Sequence, residues 1–136
     1  ADGAPGEIKA GWVNAVRRLA TVEPWHGNSI VIYTEPTKPA DPQTGTPPRP
    51  VAVPGLWQRE VIEDKLNQAH ALGWADFDGD GSDELAVGWR GAPHGVAFYQ
   101  RDPGGRWTKH GVDDGMAAED LTVGDLNGDG KPEIVA

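Results

Sequence analysis

Short apolar stretches recur along the chain and are separated by glycine, proline and acidic residues. Stretches such as SIVIYT (29–34) and GVAFYQ (95–100) are rich in β-branched and aromatic residues, a composition that favours strands. No window combines a sustained helical period with capping residues. The pattern therefore predicts an all-β chain of short strands joined by turns.

The sequence also repeats itself at an interval of about fifty residues. A shift of 49 positions places HALGWADFDGDGSDELAV on EDLTVGDLNGDGKPEIVA. A shift of 50 positions matches LWQREVIED (56–64) with RWTKHGVDD (106–114). A repeat of this length with four strands is typical of a β-propeller, in which each repeat forms one antiparallel, four-stranded blade.

The repeat predicts a β-propeller segment of about two and a half blades in residues 1–136. Blade one covers 7–63, blade two covers 70–113, and an incomplete blade three covers 119–136. The expected strands lie near 7–13, 16–22, 29–34, 57–62, 71–76, 84–89, 95–100, 106–112, 120–125 and 133–136. So few blades cannot close a ring. We therefore expect other blades or chains, including copies of this chain, to complete it.

Residues 35–55 interrupt the first repeat and hold seven of the twelve prolines. This composition predicts a long insertion in polyproline II or coil conformation between the third and fourth strands of blade one.

Two segments place oxygen-bearing side chains at alternate positions just before a strand. A glycine at the sixth position allows the bend that turns the next main-chain carbonyl inward. Such a set suits a hard cation with six to eight oxygen ligands, which favours Ca²⁺ over Mg²⁺. The sequence therefore predicts two Ca²⁺ ions. Their predicted ligands are Asp76, Asp78, Asp80, the Ser82 carbonyl and Glu84 in one loop, and Asp125, Asn127, Asp129, the Lys131 carbonyl and Glu133 in the other.

Other loops with this opening fit less well. An EF-hand needs glutamate at position 12, where Val87 and Ala136 stand, and both EF-hand and dockerin loops lead into a helix. A pair of solvated, Asx-rich turns is the remaining alternative. It does not explain why the same four positions recur at a fixed interval.

The segments DFDGDGSDE and DLNGDGKPE, each followed by a strand, resemble the calcium loops of FG-GAP/VCBS-type propeller repeats. The resemblance implies that each loop joins the first and second strands of a blade and stabilises that hairpin. Blade one has GWVNAVRR in place of an acidic loop, so no ion is predicted there.

The alternation of loops around a blade brings a second group of residues to the opposite face, at one mouth of the central channel. Histidine beside carboxylates is suited to general acid–base catalysis or to metal binding. Glu7 and Lys9 are expected to lie nearby, whereas His110 is predicted to be an ordinary surface residue. The candidate catalytic residues are His70, His26, Glu119 and Asp120, and the candidate substrate-binding residues are Trp25, Arg90 and His94.

Three segments in order, EPWHGNSIVIYTE, HALGWADFDGDG and GMAAEDLTVGDLNGDGKPEIVA, are similar to the propeller of aldos-2-ulose dehydratase-like proteins. The resemblance implies elimination of water from a keto-sugar such as anhydrofructose. His70 or His26 would be the base, and Arg90 or a cation would hold the enolate. The alternatives are a structural or adhesive module that binds glycan or protein, and a self-assembling fragment.

Composition and charge limit the partners and the cellular location expected for this chain. The net charge of −9 argues against nucleic acid as a partner, and no apolar run is long enough to span a membrane. The chain has no cysteine, which is compatible with export. It starts ADGAPG, without Met or a signal-peptide pattern, so we expect a processed chain or a fragment. Calcium loops of this kind indicate an extracellular or periplasmic location, where a carbohydrate ligand is a possible partner.

Overall fold

The computed structural model describes residues 5–38, 43–46, 49–50 and 55–136. All regular secondary structure within these residues is β-strand. They contain no helix that could cross a bilayer. The strands are β1 (Ile8–Val13), β2 (Val16–Glu23), β3 (Ser29–Thr34), β4 (Thr37–Lys38), β5 (Arg49–Pro50), β6 (Gln58–Glu63), β7 (Ala69–Ala75), β8 (Glu84–Trp89), β9 (Gly95–Arg101), β10 (Trp107–Asp113), β11 (Thr122–Gly124) and β12 (Glu133–Val135).

These strands form the antiparallel blades of a partial β-propeller. Blade one has the strand order β1-β2-β3-β6, blade two has β7-β8-β9-β10, and β11 pairs with β12 as the start of blade three. The all-β, four-stranded propeller class predicted from the repeat is confirmed.

Blades one and two share the same strand register. Tyr33 pairs with Arg59 at the edge of blade one, and Tyr99 pairs with Lys109 in blade two. Both edge pairings contain a register shift, before Val31 in one and after Gly111 in the other. Paired strand residues of one blade therefore have defined structural equivalents in the other.

The hydrophobic core lies between the blades. Val22 and Ile32 of blade one pack in one cluster with Leu72 and Leu85 of blade two, and all four are at most 1% exposed. A smaller cluster joins blade two to blade three. It contains Ala71, Ala86 and Leu121, with Phe77, Val123 and Ile134 packed against it. Burying these apolar faces is the main force that holds the blades together.

The proline-rich insertion contains a short ladder that its composition did not predict. Thr37 pairs with Pro50, and Lys38 pairs with Arg49. Proline is tolerated in such a position because it ends a short edge strand. The rest of the expected irregular insertion lies largely outside the described residues.

The first hairpin of blade one is closed by a tight turn instead of an acidic loop. Asn14 and Ala15 have positive φ angles of 52° and 58°, as in the primed turns that join antiparallel strands. Arg18 stands where blade two has Glu84, because Leu19 and Leu85 pair with the equivalent tyrosines. Only 5% of Arg18 is exposed.

The buried guanidinium of Arg18 connects three parts of blade one. Its Nη1 donates to the Val13 carbonyl at 2.6 Å, and its Nε donates to Thr34 Oγ1 at 3.3 Å. Burial, with a contribution from Arg101, lowers the pKa of Arg18 to about 10, so the group remains charged at neutral pH. Arg18 therefore holds the base of this hairpin with a permanent positive charge.

Replacement of Arg18 by alanine is expected to lower the free energy of unfolding by about 2–4 kcal/mol, because it leaves a buried carbonyl without its charged donor and opens a cavity. The matched control is Arg17→Ala, which removes an exposed ion pair with Glu35 and should cost about 1 kcal/mol or less. Urea unfolding measures both. A loss for Arg18→Ala no larger than the loss for Arg17→Ala would contradict a structural role.

Candidate metal loops and channel-mouth site

The first acidic loop, residues 76–84, folds around the side chain of Asp76. Its Oδ1 accepts hydrogen bonds from the main-chain N–H groups of Gly79 and Asp80, at 2.7 and 3.1 Å, and its Oδ2 accepts one from Gly81 at 2.8 Å. Gly79 and Gly81 have φ angles of 80° and 86°, which favour glycine. Glu84 Oε2 closes the loop by accepting from the N–H of Phe77 at 2.8 Å.

The second loop, residues 125–133, repeats this network bond for bond. Asp125 accepts from Gly128, Asp129 and Gly130 at 2.7, 3.2 and 2.9 Å. Glu133 Oε2 accepts from the N–H of Leu126 at 2.8 Å. The φ angles of Gly128 and Gly130 are again 80° and 86°. The two loops are therefore the same structure at equivalent places in blades two and three.

Each loop brings three of its predicted ligands together. Carboxylate oxygens of Asp76, Asp78 and Glu84 lie within 4.8 Å of one another. So do those of Asp125, Asp129 and Glu133.

Predicted ligands also accept hydrogen bonds from main-chain N–H groups within their loops. Asp80 is not in the first group, and its Oδ1 accepts from the N–H of Ser82 at 2.8 Å. Asn127 Oδ1 accepts from the N–H of Asp129 at 2.8 Å, and Asp129 Oδ1 accepts from the N–H of Lys131 at 2.9 Å. Metal binding by any of these residues stays a prediction.

The chemistry of the first group fits a cation. Glu84 is only 2% exposed. Burial raises the pKa of Glu84 to about 7, and the neighbouring carboxylates of Asp78, Asp80 and Asp76 raise it as well, against the hydrogen bond from Phe77. A buried carboxylate among other acids is stabilised when a positive charge enters the group. All the donor atoms are oxygens, which is the donor type that Ca²⁺ and Mg²⁺ prefer.

The opposite ends of the strands hold a second cluster, built from three blades. His26 comes from the β2–β3 loop, His70 from β7, Arg90 from the end of β8, and Glu119 from the segment before β11. His26 has a φ angle of 55°, which is uncommon for a residue other than glycine. Strained backbone of this kind is frequent at functional sites.

Short contacts join these four side chains. The Nε2 atoms of His26 and His70 are 3.0 Å apart, so one ring donates and the other accepts. Arg90 Nη1 donates to Glu119 Oε2 at 2.7 Å, and Arg90 Nη2 lies 3.5 Å from His26 Nδ1. His70 Nε2 is 4.0 Å from Glu119 Oε2. The cluster is therefore one connected network of two imidazoles, a guanidinium and a carboxylate.

Local charge affects the titration of His26. Burial lowers the pKa of His26, the positive charge of Arg90 and the His70 ring lower it further, and Glu119 acts in the opposite direction. The neutral ring is thus favoured at neutral pH.

A cavity of about 310 Å³ opens beside this network. Its lining includes Glu7, Trp25 and Asp120 together with His26, His70 and Glu119. The Trp25 ring is 4.4 Å from the His26 ring, and 66% of Trp25 is exposed. Lys9, which was expected nearby, pairs with Glu7 at 3.0 Å without lining the cavity. The candidate catalytic and substrate-binding residues meet at this cavity, with two exceptions. Arg90 belongs to the network without lining the cavity, and His94 is not among the described lining residues.

Two side chains make contacts that were not predicted from the sequence. Gln68 was not predicted, yet its Oε1 accepts from Arg90 Nε at 3.0 Å and so orients the guanidinium. His110 was expected to be ordinary surface, and this was wrong. Its ring stacks on Phe98 at 4.7 Å, and its Nε2 is buried without a partner among the described residues. The sequence signal for Gln68 is its position two residues before His70, in the segment NQAH.

The paired loops correspond to a known repeat. Residues 76–136 match the family of the FG-GAP-like repeat. The matched segment begins at the first ligand position of the first loop, runs through blade two and includes the second loop. The resemblance to FG-GAP-type repeats inferred from the sequence is confirmed for this segment. No solved structure matches the chain significantly.

A curated protein also matches part of this chain. It is the aldos-2-ulose dehydratase of Phanerodontia chrysosporium, which is 36% identical over 81 residues. The match covers 54% of this chain but only 8% of the relative. The resemblance to dehydratase-type propellers is thus confirmed as sequence similarity, over a small part of a much longer enzyme.

Replacement of Arg90 by glutamine is expected to raise the pKa of His26, because the loss of a nearby positive charge favours the imidazolium form. NMR titration of the imidazole signals measures the change. Arg106→Gln is the matched control, since that exposed arginine pairs with Asp102 in another turn and should leave His26 unaffected. Equal shifts in the two variants would contradict the electrostatic account.

Proposed function

We propose that this chain is the calcium-binding part of a secreted β-propeller that acts on a sugar at its channel mouth, by eliminating water from a keto-sugar. The observation that carries the proposal is the network of His26, His70, Arg90 and Glu119 beside a sugar-sized cavity. The similarity to an aldos-2-ulose dehydratase supports the reaction class. The acidic loops and their FG-GAP-like sequence support the calcium.

In the first loop, Asp76, Asp78 and Glu84 would hold a Ca²⁺ ion, with Asp80 and the Ser82 carbonyl completing its oxygen shell. In the second loop, Asp125, Asp129 and Glu133 would do the same, with Asn127 and the Lys131 carbonyl. The ion would neutralise the clustered carboxylates and lock each hairpin. Calcium of the required concentration is met outside the cytosol, which supports an extracellular or periplasmic location.

Titration calorimetry is expected to show two Ca²⁺ ions per chain, and saturating Ca²⁺ should raise the melting temperature because only the folded loops bind it. Asp76→Asn should remove one ion and lower the melting temperature more in calcium than in excess chelator, where only the hydrogen bond from Gly81 is lost. Asp114→Asn, which changes the same charge at an exposed position outside both loops, is the control. Unchanged stoichiometry in Asp76→Asn would rule out this loop as a calcium site.

At the mouth, the histidine pair would act as the base. In the elimination, a C–H bond next to the sugar carbonyl breaks, its electrons form a C=C bond, and the C–O bond of the β-hydroxyl breaks to release water. The hydrogen bond between the two Nε2 atoms already holds one proton, so the proton taken from carbon would go to His26 Nδ1, and the imidazolium that forms would be stabilised by donating from its Nε2 to His70. The lowered pKa of His26 keeps that ring neutral and ready to accept.

The charged neighbours would serve the enolate and the leaving group. Arg90 is oriented by Glu119 on one side and by Gln68 on the other, so its guanidinium is preorganised near His26. A fixed positive charge stabilises the enolate oxygen that develops when the proton leaves. Asp120 lines the cavity, so it is the candidate group to deliver a proton to the departing hydroxyl.

Trp25 would supply the binding platform. Its exposed ring stands at the edge of the cavity and contacts the ring of His26. Sugars stack their apolar C–H faces on such aromatic rings, and this brings the reacting carbon to the histidines. The same surface would serve a non-catalytic glycan-binding module, which is the alternative function.

The proposal is tested by incubating the full chain with an aldos-2-ulose and following the conjugated product by its ultraviolet absorbance. His70→Gln and His26→Gln are each expected to lower the rate at least about 100-fold, because each removes half of the proton-accepting pair. His110→Gln is the matched control at a histidine outside the mouth. If NMR shows sugar binding at Trp25 but no product forms, the glycan-binding alternative is correct and the dehydratase proposal is wrong.

A further inference from the structure

The first acidic loop is hydrogen-bonded to the neighbouring blade as well as to itself. Asp83 follows Ser82 in this loop, and its Oδ2 accepts from the N–H of Trp12 in blade one at 2.7 Å. The N–H of Asp83 donates back to the Trp12 carbonyl at 2.7 Å. Ser82 Oγ accepts from the N–H of Asn14 at 2.9 Å. Three hydrogen bonds thus fasten this loop to the first hairpin of blade one.

The second loop lacks the groups for the same clamp. Pro132 stands at the position of Asp83, and it has neither an N–H nor a carboxylate. Lys131 stands at the position of Ser82 and offers no hydroxyl. The chain therefore contains one loop with an inter-blade clamp and one closely matched loop without it.

Further hydrogen bonds continue from the clamp along the junction between β1 and β7. Trp74 Nε1 donates to the Lys9 carbonyl at 3.1 Å, and the N–H of Leu72 donates to Glu7 Oε2 at 2.7 Å. At the mouth end, the N–H of Ala69 donates to the Gly27 carbonyl at 2.8 Å. The junction is thus joined at its loop end, in its middle and at its mouth end.

The histidine pair spans this same junction, because His26 belongs to blade one and His70 to blade two. Their Nε2 contact of 3.0 Å requires the two blades to keep a fixed separation and tilt. A hydrogen bond weakens steeply when its distance and angle change. The bond from Ala69 to Gly27 holds the mouth end of this junction directly, and the clamp holds its loop end.

We propose that Asp83 is a positioning residue that couples ion binding in loop 76–84 to the alignment of His26 with His70. Ser82 and Asp83 lie directly before Glu84, so an ion held by Asp76, Asp78 and Glu84 orders the residues that clamp blade one. The coupling rests on the proposed calcium binding and on the proposed role of the mouth. Loop 125–133 has no such clamp, so its ion stabilises blade three without aligning the histidines.

The test uses the full chain labelled with ¹⁵N-histidine. The readout is the through-hydrogen-bond coupling between the two Nε2 atoms together with the imidazole shifts, recorded with Ca²⁺ and with chelator, while calorimetry counts the ions. Wild type should show the coupling in Ca²⁺ and lose at least about half of it in chelator. Asp83→Ala should still bind two ions, because its side chain is not a ligand, but its histidine coupling should be as weak in Ca²⁺ as in chelator.

Matched variants separate positioning from simple loss of structure. Asp83→Asn should restore the coupling, since an amide oxygen can accept from the N–H of Trp12. Asp76→Ala should lose one ion and the coupling, whereas Asp129→Ala should lose one ion and keep the coupling. Circular dichroism checks that every variant retains its strands.

Several results would overturn the inference. They are a calcium-dependent coupling that survives in Asp83→Ala, an unchanged coupling in Asp76→Ala after its ion is lost, and an equal loss in Asp129→Ala. If wild type binds no ion, the calcium proposal fails by itself. Asp83→Ala then still tests the clamp, because the variant should weaken the coupling relative to wild type in any buffer, and an unchanged coupling would show that the clamp does not position the histidines.

Discussion

A charge at the base of each blade's first hairpin is the constraint on which this structure depends. In blade two the buried carboxylate of Glu84 gathers other acids around it, and Glu133 does so in blade three. In blade one the charge has the opposite sign, because buried Arg18 occupies the equivalent place and donates to the Val13 carbonyl next to the turn. A buried charge needs a partner of opposite sign or strong hydrogen bonds. Glu84 is the buried acid that a cation would stabilise, whereas Arg18 gives the basic hairpin its own positive charge.

The acidic loops and the mouth residues lie at opposite ends of the strands. β7 runs from His70 near the mouth to Ala75 just before the first acidic loop, so one strand carries a residue of each region. Its middle is buried between blades one and three, where Leu72 faces one core cluster and Ala71 the other. β7 is therefore packed on both sides between the two regions that it joins.

The repeat made the strands and the two loops predictable, because both depend on local sequence. The ladder of β4 with β5 and the contacts of Arg18 did not follow from the sequence, since each joins segments whose meeting depends on the folded blade. The mouth residues were predicted as a group from the alternation of loops in a propeller. The stacking of His110 on Phe98 was missed, because it depends on the pairing of β9 with β10, which sets the two residues opposite each other and is not evident from either strand alone.

Equivalent polar residues of blades one and two find their hydrogen-bond partners in different places. In blade two, Tyr99 OH and Lys109 Nζ both donate to Glu63 of the preceding blade, at 3.0 and 3.1 Å. The equivalent pair in blade one, Tyr33 and Arg59, donates instead to Glu23 of the same blade, at 2.7 Å each. Burial alone would raise the pKa of Glu23, but hydrogen bonds from Arg59, Tyr33 and Thr21 hold it below its ordinary value. Tyr99 and Lys109 of blade two thus find their hydrogen-bond acceptor in the neighbouring blade. Tyr33 and Arg59 of blade one find theirs within the same blade, on the face turned away from blade two. That face can pack against a preceding blade that supplies apolar surface and no glutamate, so the junctions of the complete ring need not be alike.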